Sequence, residues 1–573
     1  MSIRNFYHKT ERAIVEGLSN LLRTYKKYEW WIIGILLIIS ITLGYLAFRN
    51  ERNSWHAALY DSIRLFPMES LNNEPQTLLY YIARWLSPFT LGLIVYTTFI
   101  FLAKEKIITL RLKFYKNHTV ICGLGKVGQQ IAKDFLKVGK KIVIIESNDH
   151  NDYNSFFREK NVIVINENAR DIKVLQKARV NQAQYLIAIT HDDKQNIEIA
   201  NNAIRNDNTE QNSVTCYAHV NDNNIRLLFS NQDFLSPNMF LFNINEKAMR
   251  LMLKKHAPDI FKPVKQKTDP SPKILIIGFS EIGFSLAVQL CISAYYINNQ
   301  PAEITIMHDE SEEKEANSFN NRYCNLLKQF DLINIKFEKC VISELSIKRF
   351  NSKNTENDDK KDDDYDVVYL CIEEEVNQYE IASRIEEFFS DKNIPMVFCL
   401  PRQYQLATIL EKKYKKNQEE KATKKESSEK AKVHLFNIVD ESCSFDNIIN
   451  EKINELAVRC HEAYKKSNQN CKDTWESLPH FIKFSNFSQA DHIDVKLRTL
   501  GMDVNSFNKE MYAKYLKDEN IKNALAEMEH RRWMGVEIIN QQKHHSIKPW
   551  EKLKPDVKKY DYDHINSIPD ILG

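Results

Sequence analysis

The stretch His118–Glu146 reads HTVICGLGKVGQQIAKDFLKVGKKIVIIE, and its reading decides the fold. An apolar run ends at Gly123. A glycine turn and an amphipathic segment follow, and a second apolar run ends at Glu146. Gly123, Leu124, Gly125, Lys126, Val127 and Gly128 spell G-x-G-x-x-G. The first glycine permits a tight turn, the second lets the backbone approach a pyrophosphate, and the third lets helix and strand pack closely. The helix that starts there offers free N–H groups and a positive dipole end to phosphates. Glu146 stands 23 residues after Gly123, placed to accept hydrogen bonds from a ribose hydroxyl. Strand, turn, helix, strand and acid in this order predict a bound adenine nucleotide.

Upstream, Trp30–Phe48 and Trp85–Ala103 are each 19 residues long without a charge. That length crosses a bilayer core, and Trp30, Trp31 and Trp85 sit where interfacial aromatics belong. Transmembrane helices are expected at 29–48 and 85–104, with an extracytoplasmic loop at 49–84. The first run starts late and lacks a small-residue cleavage motif, so it is not a cleaved signal. Arg23, Lys26 and Lys27 precede the first span, and Lys104, Lys106, Arg111, Lys113 and Lys116 follow the second. The loop between carries four arginines, four acids and no lysine. This bias predicts a two-pass protein of the cell (inner) membrane with both termini, including segment 1–28, in the cytoplasm. All ten cysteines lie at or beyond Cys122 and none forms C-x-x-C, which fits reduced thiols on the reducing side.

Downstream, apolar strands alternate with helices: Asn161–Ile165, Asp171–Ala178, Gln184–Thr190, Asp193–Arg205, Ser213–Val220 and Met239–Ile244. The pattern predicts a parallel sheet covered on both faces. Residues 117–255 resemble the RCK, or TrkA-N, family, the cytosolic nucleotide-binding domains that regulate potassium channels and transporters. The resemblance rests on GLGKVG, on Glu146, on Ala169, Asp171, Leu175 and Ala178, and on Thr190, Asp192, Asp193 and Asn196. It implies NAD(H), ATP or ADP as ligand, with Thr190 and Asp192 near it. Glu146 favours a free 2′-hydroxyl over a 2′-phosphate. Where the family's third strand usually ends Gly-Asp, this chain has Glu167-Asn168. Two spans before such a domain resemble a two-helix potassium channel. A potassium filter needs a glycine-containing TVGYG-like loop, yet residues 49–84 contain no glycine. His56–Phe66 reads as a short amphipathic helix in the pore-helix position.

Residues 272–445 repeat the pattern. Gly278 lies 155 residues after Gly123 (278 − 123), but the turn reads G-F-S-E-I-G, with Ser280 at the second glycine. This second, degenerate Rossmann-like domain is interrupted by the charged inserts Asn351–Asp366 and Glu411–Lys432. Strands are expected at Ala302–Asp309, Ile333–Cys340, Asp366–Ile372, Met396–Leu400 and Val433–Val439. Residues 446–573 read as helical, with helices at Asn447–Lys465 and Ile521–Asn540. The core 520–573 resembles the ryanodine-receptor (RyR) repeat domain through Leu525, Ala526, Glu527, His530, Trp533, Leu553, Tyr560, Asp561, Ile568 and Pro569. The resemblance implies a small helical module that takes a nucleotide-like ligand. Trp533 and Tyr560 would then stack on a base, with Glu527, His530 and Asp561 as polar contacts. The same residues read equally as holders of the fold.

The expected class is therefore multidomain: two transmembrane helices, two tandem α/β Rossmann-like (RCK-type) parallel-sheet domains and a small α-helical RyR-like domain. With 79 basic against 76 acidic residues, a net +3, no nucleic-acid partner is expected. G-x-S-x-G, H-E-x-x-H and the Walker lysine motif are absent, so neither catalytic residues nor a metal are expected. The leading function is a membrane-bound nucleotide sensor: a ligand-gated, potassium-type ion channel or transport regulator without a TVGYG filter. It would lie in the bilayer as an even-numbered homo-oligomer. One alternative is a membrane effector of a nucleotide-signalled bacterial defence system, its RyR-like module reading the messenger. Another, disfavoured, is an NAD-using enzyme.

Overall fold

The computed structural model describes residues 29–69, 74–205, 214–222, 225, 238–340, 365–372, 381, 384–386, 389, 393–400 and 433–573, the last span without 451, 469, 470 and 476. The expected cytoplasmic segment 1–28 and nearly all of the two charged inserts lie outside the described residues. The chain divides into two compact units, Met1–Phe114 and Tyr115–Gly573.

In the first unit, helix α1 (Glu29–Phe48) and the stretch Leu78–Phe99 of helix α3 (Leu78–Lys113) are long and apolar enough to cross a membrane. Trp30, Trp31, Trp85 and Phe99 are exposed on them, as expected of a face that meets lipid or another apolar surface. α3 has 36 residues, about 54 Å at 1.5 Å per residue, so it exceeds the expected 85–104 span at both ends. Helix α2 (Trp55–Arg64), capped by the Ser54 hydroxyl, occupies the position read as His56–Phe66. It packs against α1 so closely that a Cβ on Gly44 would stand 2.7 Å from the Ser62 Cβ. Asp61, buried on α2, pairs with Arg52 at 2.5 Å and Arg64 at 3.2 Å.

The second unit contains two six-stranded sheets, all of whose pairings are parallel. The first comprises β1 (His118–Cys122), β2 (Ile142–Ile145), β3 (Ile163–Ile165), β4 (Ala183–Ala188), β5 (Thr215–His219) and β6 (Met239–Phe242) in the order β3-β2-β1-β4-β5-β6. The second comprises β7 (Lys273–Ile277), β8 (Ala302–His308), β9 (Ile333–Lys339), β10 (Val367–Leu370), β11 (Met396–Leu400) and β12 (Val433–Asn437). Its order, β9-β8-β7-β10-β11-β12, is the same arrangement. The offset between Gly123 and Gly278 is thus a duplication of a whole sheet. The central strands β1 and β2 are buried throughout because helices cover both faces.

Helix α4 (Lys126–Lys137) follows β1, α5 (Tyr153–Glu159) follows β2, α6 (Ile172–Lys177) follows β3 and α7 (Asp193–Arg205) follows β4. After β6 runs α8 (Ile244–His256); after β7 runs α9 (Glu281–Ser293). α9 is apolar all round, because it packs on α8 and on two C-terminal helices. Those belong to a set comprising α10 (Glu455–Ser467), α11 (His480–Thr499), α12 (Glu519–Ile539) and α13 (Pro555–Leu572). One apolar core runs continuously from Ile121 through Ile276 and Leu290 to Ile571.

One expected helix is corrected. Asn447–Lys465 is not continuous: a short helix, Phe445–Ile448, and a 3-10 turn, Lys452–Asn454, precede α10. Arg250 of α8 donates to the Asn454 side chain at 2.8 Å and to the Ile453 carbonyl at 3.5 Å. Phe445 N–H donates to Asp134 at 2.7 Å. These long-range bonds hold the chain in a bend where periodicity alone predicted a helix.

Candidate functional site

The glycine loop joins β1 to α4, and its three glycines serve different ends. Gly123 has φ +106°, and a Cβ there would lie 2.6 Å from the Ile189 carbonyl oxygen. A Cβ on Gly128 would stand 2.2 Å from the Gly123 carbonyl oxygen. Both glycines are demanded by the fold itself. Gly125 is not: its φ of −62° suits any residue, and a Cβ there meets nothing within 4 Å. The space beside Gly125 opens at the N-terminus of α4, which has no side-chain cap. Backbone N–H groups and the dipole there suit a phosphate.

Glu146 braces the loop. Its carboxylate is almost buried and accepts from Leu124 N–H at 2.6 Å and Asn148 N–H at 2.8 Å. Gln129 and Asn151 side chains both donate to the Leu124 carbonyl, at 3.1 and 3.0 Å. The loop is therefore held in shape by its own polar groups. Each Glu146 oxygen keeps a lone pair that could accept a ribose hydroxyl. These residues fit an adenine nucleotide.

Thr190 and Asp192 turn out to be committed within the turn after β4. The fully buried Asn196 accepts from Thr190 N–H at 2.7 Å and from the Thr190 hydroxyl at 2.8 Å. It donates to the carbonyls of Thr190 and His219. Asp192 accepts from Gln195 N–H at 2.9 Å, and backbone N–H groups at this helix start hold its carboxyl below the usual range. Glu167, at the position of the family's Gly-Asp, pairs with Lys177 at 2.6 Å.

The second sheet shows what happens to such a loop without the middle glycine. Ser280 has nearly the backbone angles of Gly125, φ −66° and ψ −167°. Its hydroxyl is buried with no hydrogen-bond partner. The Phe279 N–H, equivalent to that of Leu124, is taken by Glu312, which also accepts from Asp309 N–H at 3.0 Å. Burial raises the Glu312 carboxyl despite these bonds. Sequence reading missed Glu312, because nothing local marks a residue beyond β8 as the partner of a loop beyond β7.

The C-terminal helices enclose a cavity of about 830 Å³. Four of the five residues singled out there line it: His530, Trp533, Tyr560 and Asp561. Glu527 does not; it faces Asn299 instead. Residues six apart on a helix are about 120° apart around its axis, which turns Glu527 away from the face that carries Trp533. The cavity wall holds a buried ionic cluster that the sequence reading overlooked. Glu529 accepts from Arg532 at 2.7 Å, from Lys496 at 2.7 Å and from Gln489 at 3.1 Å. Burial alone would raise the Glu529 carboxyl, but Arg532 and Lys496 prevail and hold it well below the usual range. A sequence signal existed: Glu529 and Arg532 fall on the same stripe as Leu525, Met528 and Val536.

Two sheets of identical strand order, the first with an intact glycine loop and an acid at the end of its second strand, define a tandem Rossmann-like protein. Residues 119–231 match the TrkA-N domain, which agrees with the resemblance drawn from the loop and its flanking motifs. Potassium channel protein 1 of Methanocaldococcus jannaschii is 29% identical over 191 residues, which cover 31% of this chain and 57% of that protein. An uncharacterized protein of Methanothermus fervidus is 34% identical over 84 residues, 15% of this chain and 13% of that one. This chain thus spans only part of the relatives it matches. Among solved structures, the GsuK channel bound to NAD is similar over 76% of this chain and 84% of its own, at 11% identity and a TM-score of 0.37.

Proposed function

We propose that this chain is a membrane-embedded sensor of an adenine nucleotide, NAD(H), ATP or ADP, that regulates ion movement of the potassium type as a homo-oligomer. The carrying observation is Gly125. Neither backbone conformation nor packing requires a glycine there, so the open space beside it serves something outside the fold. The match of residues 119–231 to the TrkA-N domain and the alignment with a potassium channel protein support the same reading. Glu146 selects a nucleotide with a free 2′-hydroxyl, since a second negative charge beside it is repelled.

Hydrogen bonds tie the turn after β4, beside Gly123, to the second sheet. Asp193, next to Asp192, accepts from Asn221 N–H at 2.9 Å and Asp222 N–H at 2.8 Å. The Asn221 side chain donates to Glu281 at 2.9 Å, and Asn245 donates to the same carboxylate at 3.3 Å. Glu281 begins α9, the helix on which the C-terminal region rests. In the other direction only Phe114–Asn117 separate α3 from β1. A ligand that binds two arrangements of these elements unequally shifts their populations.

Calorimetric titration of the purified full chain with NAD, NADH, ATP and ADP tests this reading. At least one binds, and Gly125→Val weakens it at least about 10-fold, roughly 1.4 kcal/mol, without unfolding the domain. Absence of binding by all four, or equal binding by the variant, rejects it.

A further inference from the structure

We propose that the cavity among the C-terminal helices is a second ligand site, separate from the Gly125 loop. It takes an uncharged aromatic nitrogen heterocycle, of the class of a nucleoside base, and disfavours a phosphorylated ligand. Its size, about 830 Å³, lies in the range of small-molecule sites and exceeds what one base fills. Aromatic faces are present. Trp533 lies near-parallel to His530, with ring centroids 5.6 Å apart, and Tyr464 and Tyr560 sit 6.3 Å apart. Tyr560 is 54% exposed, so part of its ring is accessible to a ligand.

The polar lining argues against phosphate. Arg532 is the sole lysine or arginine among the lining residues, against the carboxyl groups of Asp473, Glu529, Asp556, Asp561 and Asp563. That one cation is already engaged by Glu529 and by the Ser485 carbonyl. Among the described lining residues no other lysine or arginine is left for an anion, and the carboxyl groups of Asp473, Asp556 and Asp563 face the same space. A buried phosphate without a partner is costly.

Around the aromatic faces, burial disfavours charge. His530 Nε2 must carry its proton, because its partner at 2.9 Å, the Lys548 carbonyl, can only accept. Its Nδ1 then faces Asp561 at 3.6 Å as an acceptor. Burial, with Glu529 nearby, holds the Asp561 carboxyl well above the usual range, and burial lowers the His530 imidazole, so charge is disfavoured on both groups. His564 lines the same cavity, and its buried Nε2, 3.9 Å from Glu529 Oε2, makes no hydrogen bond. Burial pushes the His564 imidazole down to about 3. A neutral ring nitrogen with an unmet hydrogen bond, beside aromatic faces, calls for a planar neutral ligand with its own donor or acceptor.

Equilibrium dialysis of the full chain in detergent tests this, with adenosine, guanosine, cytidine and uridine and their 5′-monophosphates as probes. At least one nucleoside is expected to bind one per chain, with its monophosphate at least about 10-fold weaker. Trp533→Ala and Tyr560→Ala should each weaken it, the latter on an exposed side chain that does not endanger folding. Gly125→Val should leave nucleoside binding intact, which separates this site from the loop whatever the outcome there. Failure of all four nucleosides, monophosphates binding as tightly, or unchanged binding by Tyr560→Ala together with Trp533→Ala would overturn the proposal.

Discussion

Gly125 and Gly128 look alike in the motif but have opposite jobs. A methyl at Gly128 would meet the Gly123 carbonyl at 2.2 Å, while one at Gly125 meets nothing. Gly128→Ala should therefore cost about 1–3 kcal/mol or more of stability. Gly125→Ala should leave the melting temperature unchanged and weaken nucleotide binding; thermal unfolding and calorimetry read the two effects separately. The buried carboxylate Glu529 gives a second contrast. Glu529→Gln leaves Lys496 and Arg532 as uncompensated buried charges, at a cost of about 3–5 kcal/mol by urea denaturation. His564 sets a pH dependence. Its folded pKa is about 3, against about 6.5 unfolded. Between those values the unfolded chain takes up a proton that the folded chain refuses. The contribution is thus fully present above about 6.5 and is lost as pH falls toward 3. Burial lowers His492 and His530 likewise, while Asp561, raised by burial, acts in the opposite sense. His564→Phe should flatten the loss of stability between pH 7 and pH 5, as measured by urea denaturation.

Among elements, the duplicated sheet is the clearest lesson. Glu312 braces the second loop as Glu146 braces the first; the difference is that Ser280 puts a buried, unbonded hydroxyl where the first loop has the bare Gly125. A single nucleotide per chain should therefore bind at the glycine loops, and none in Gly125→Val; calorimetric stoichiometry reads this directly. Much of this level was legible in the sequence. Apolar strand runs, the 155-residue offset and the glycine spacing each follow from local rules that the backbone obeys. Glu146 was legible because the motif fixes its distance from the loop. Glu312, Lys496 and the break before α10 were not. Each depends on a partner far along the chain, as when Lys496 meets Glu529 across 33 residues or Arg250 meets Asn454 across 204. The motif singled out Thr190 and Asp192 as neighbours of a ligand; their side chains hold a turn through Asn196 and Gln195.

For the whole molecule, two long apolar helices share a chain with residues that match the TrkA-N domain, and residues 49–84 carry no glycine for a carbonyl-lined filter. If ions pass, the path should discriminate poorly between potassium and sodium, since a filter of backbone carbonyls is what separates them. The central claim is that a nucleotide at the Gly125 loop controls ion movement through the membrane part. The direct measurement is potassium flux from liposomes containing the purified full chain, with and without NAD(H), ATP or ADP, for wild type and Gly125→Val. The flux is expected to change with nucleotide in the wild type and not in the variant. A flux that is absent or indifferent to every one of these nucleotides, in protein that demonstrably binds one, would contradict it.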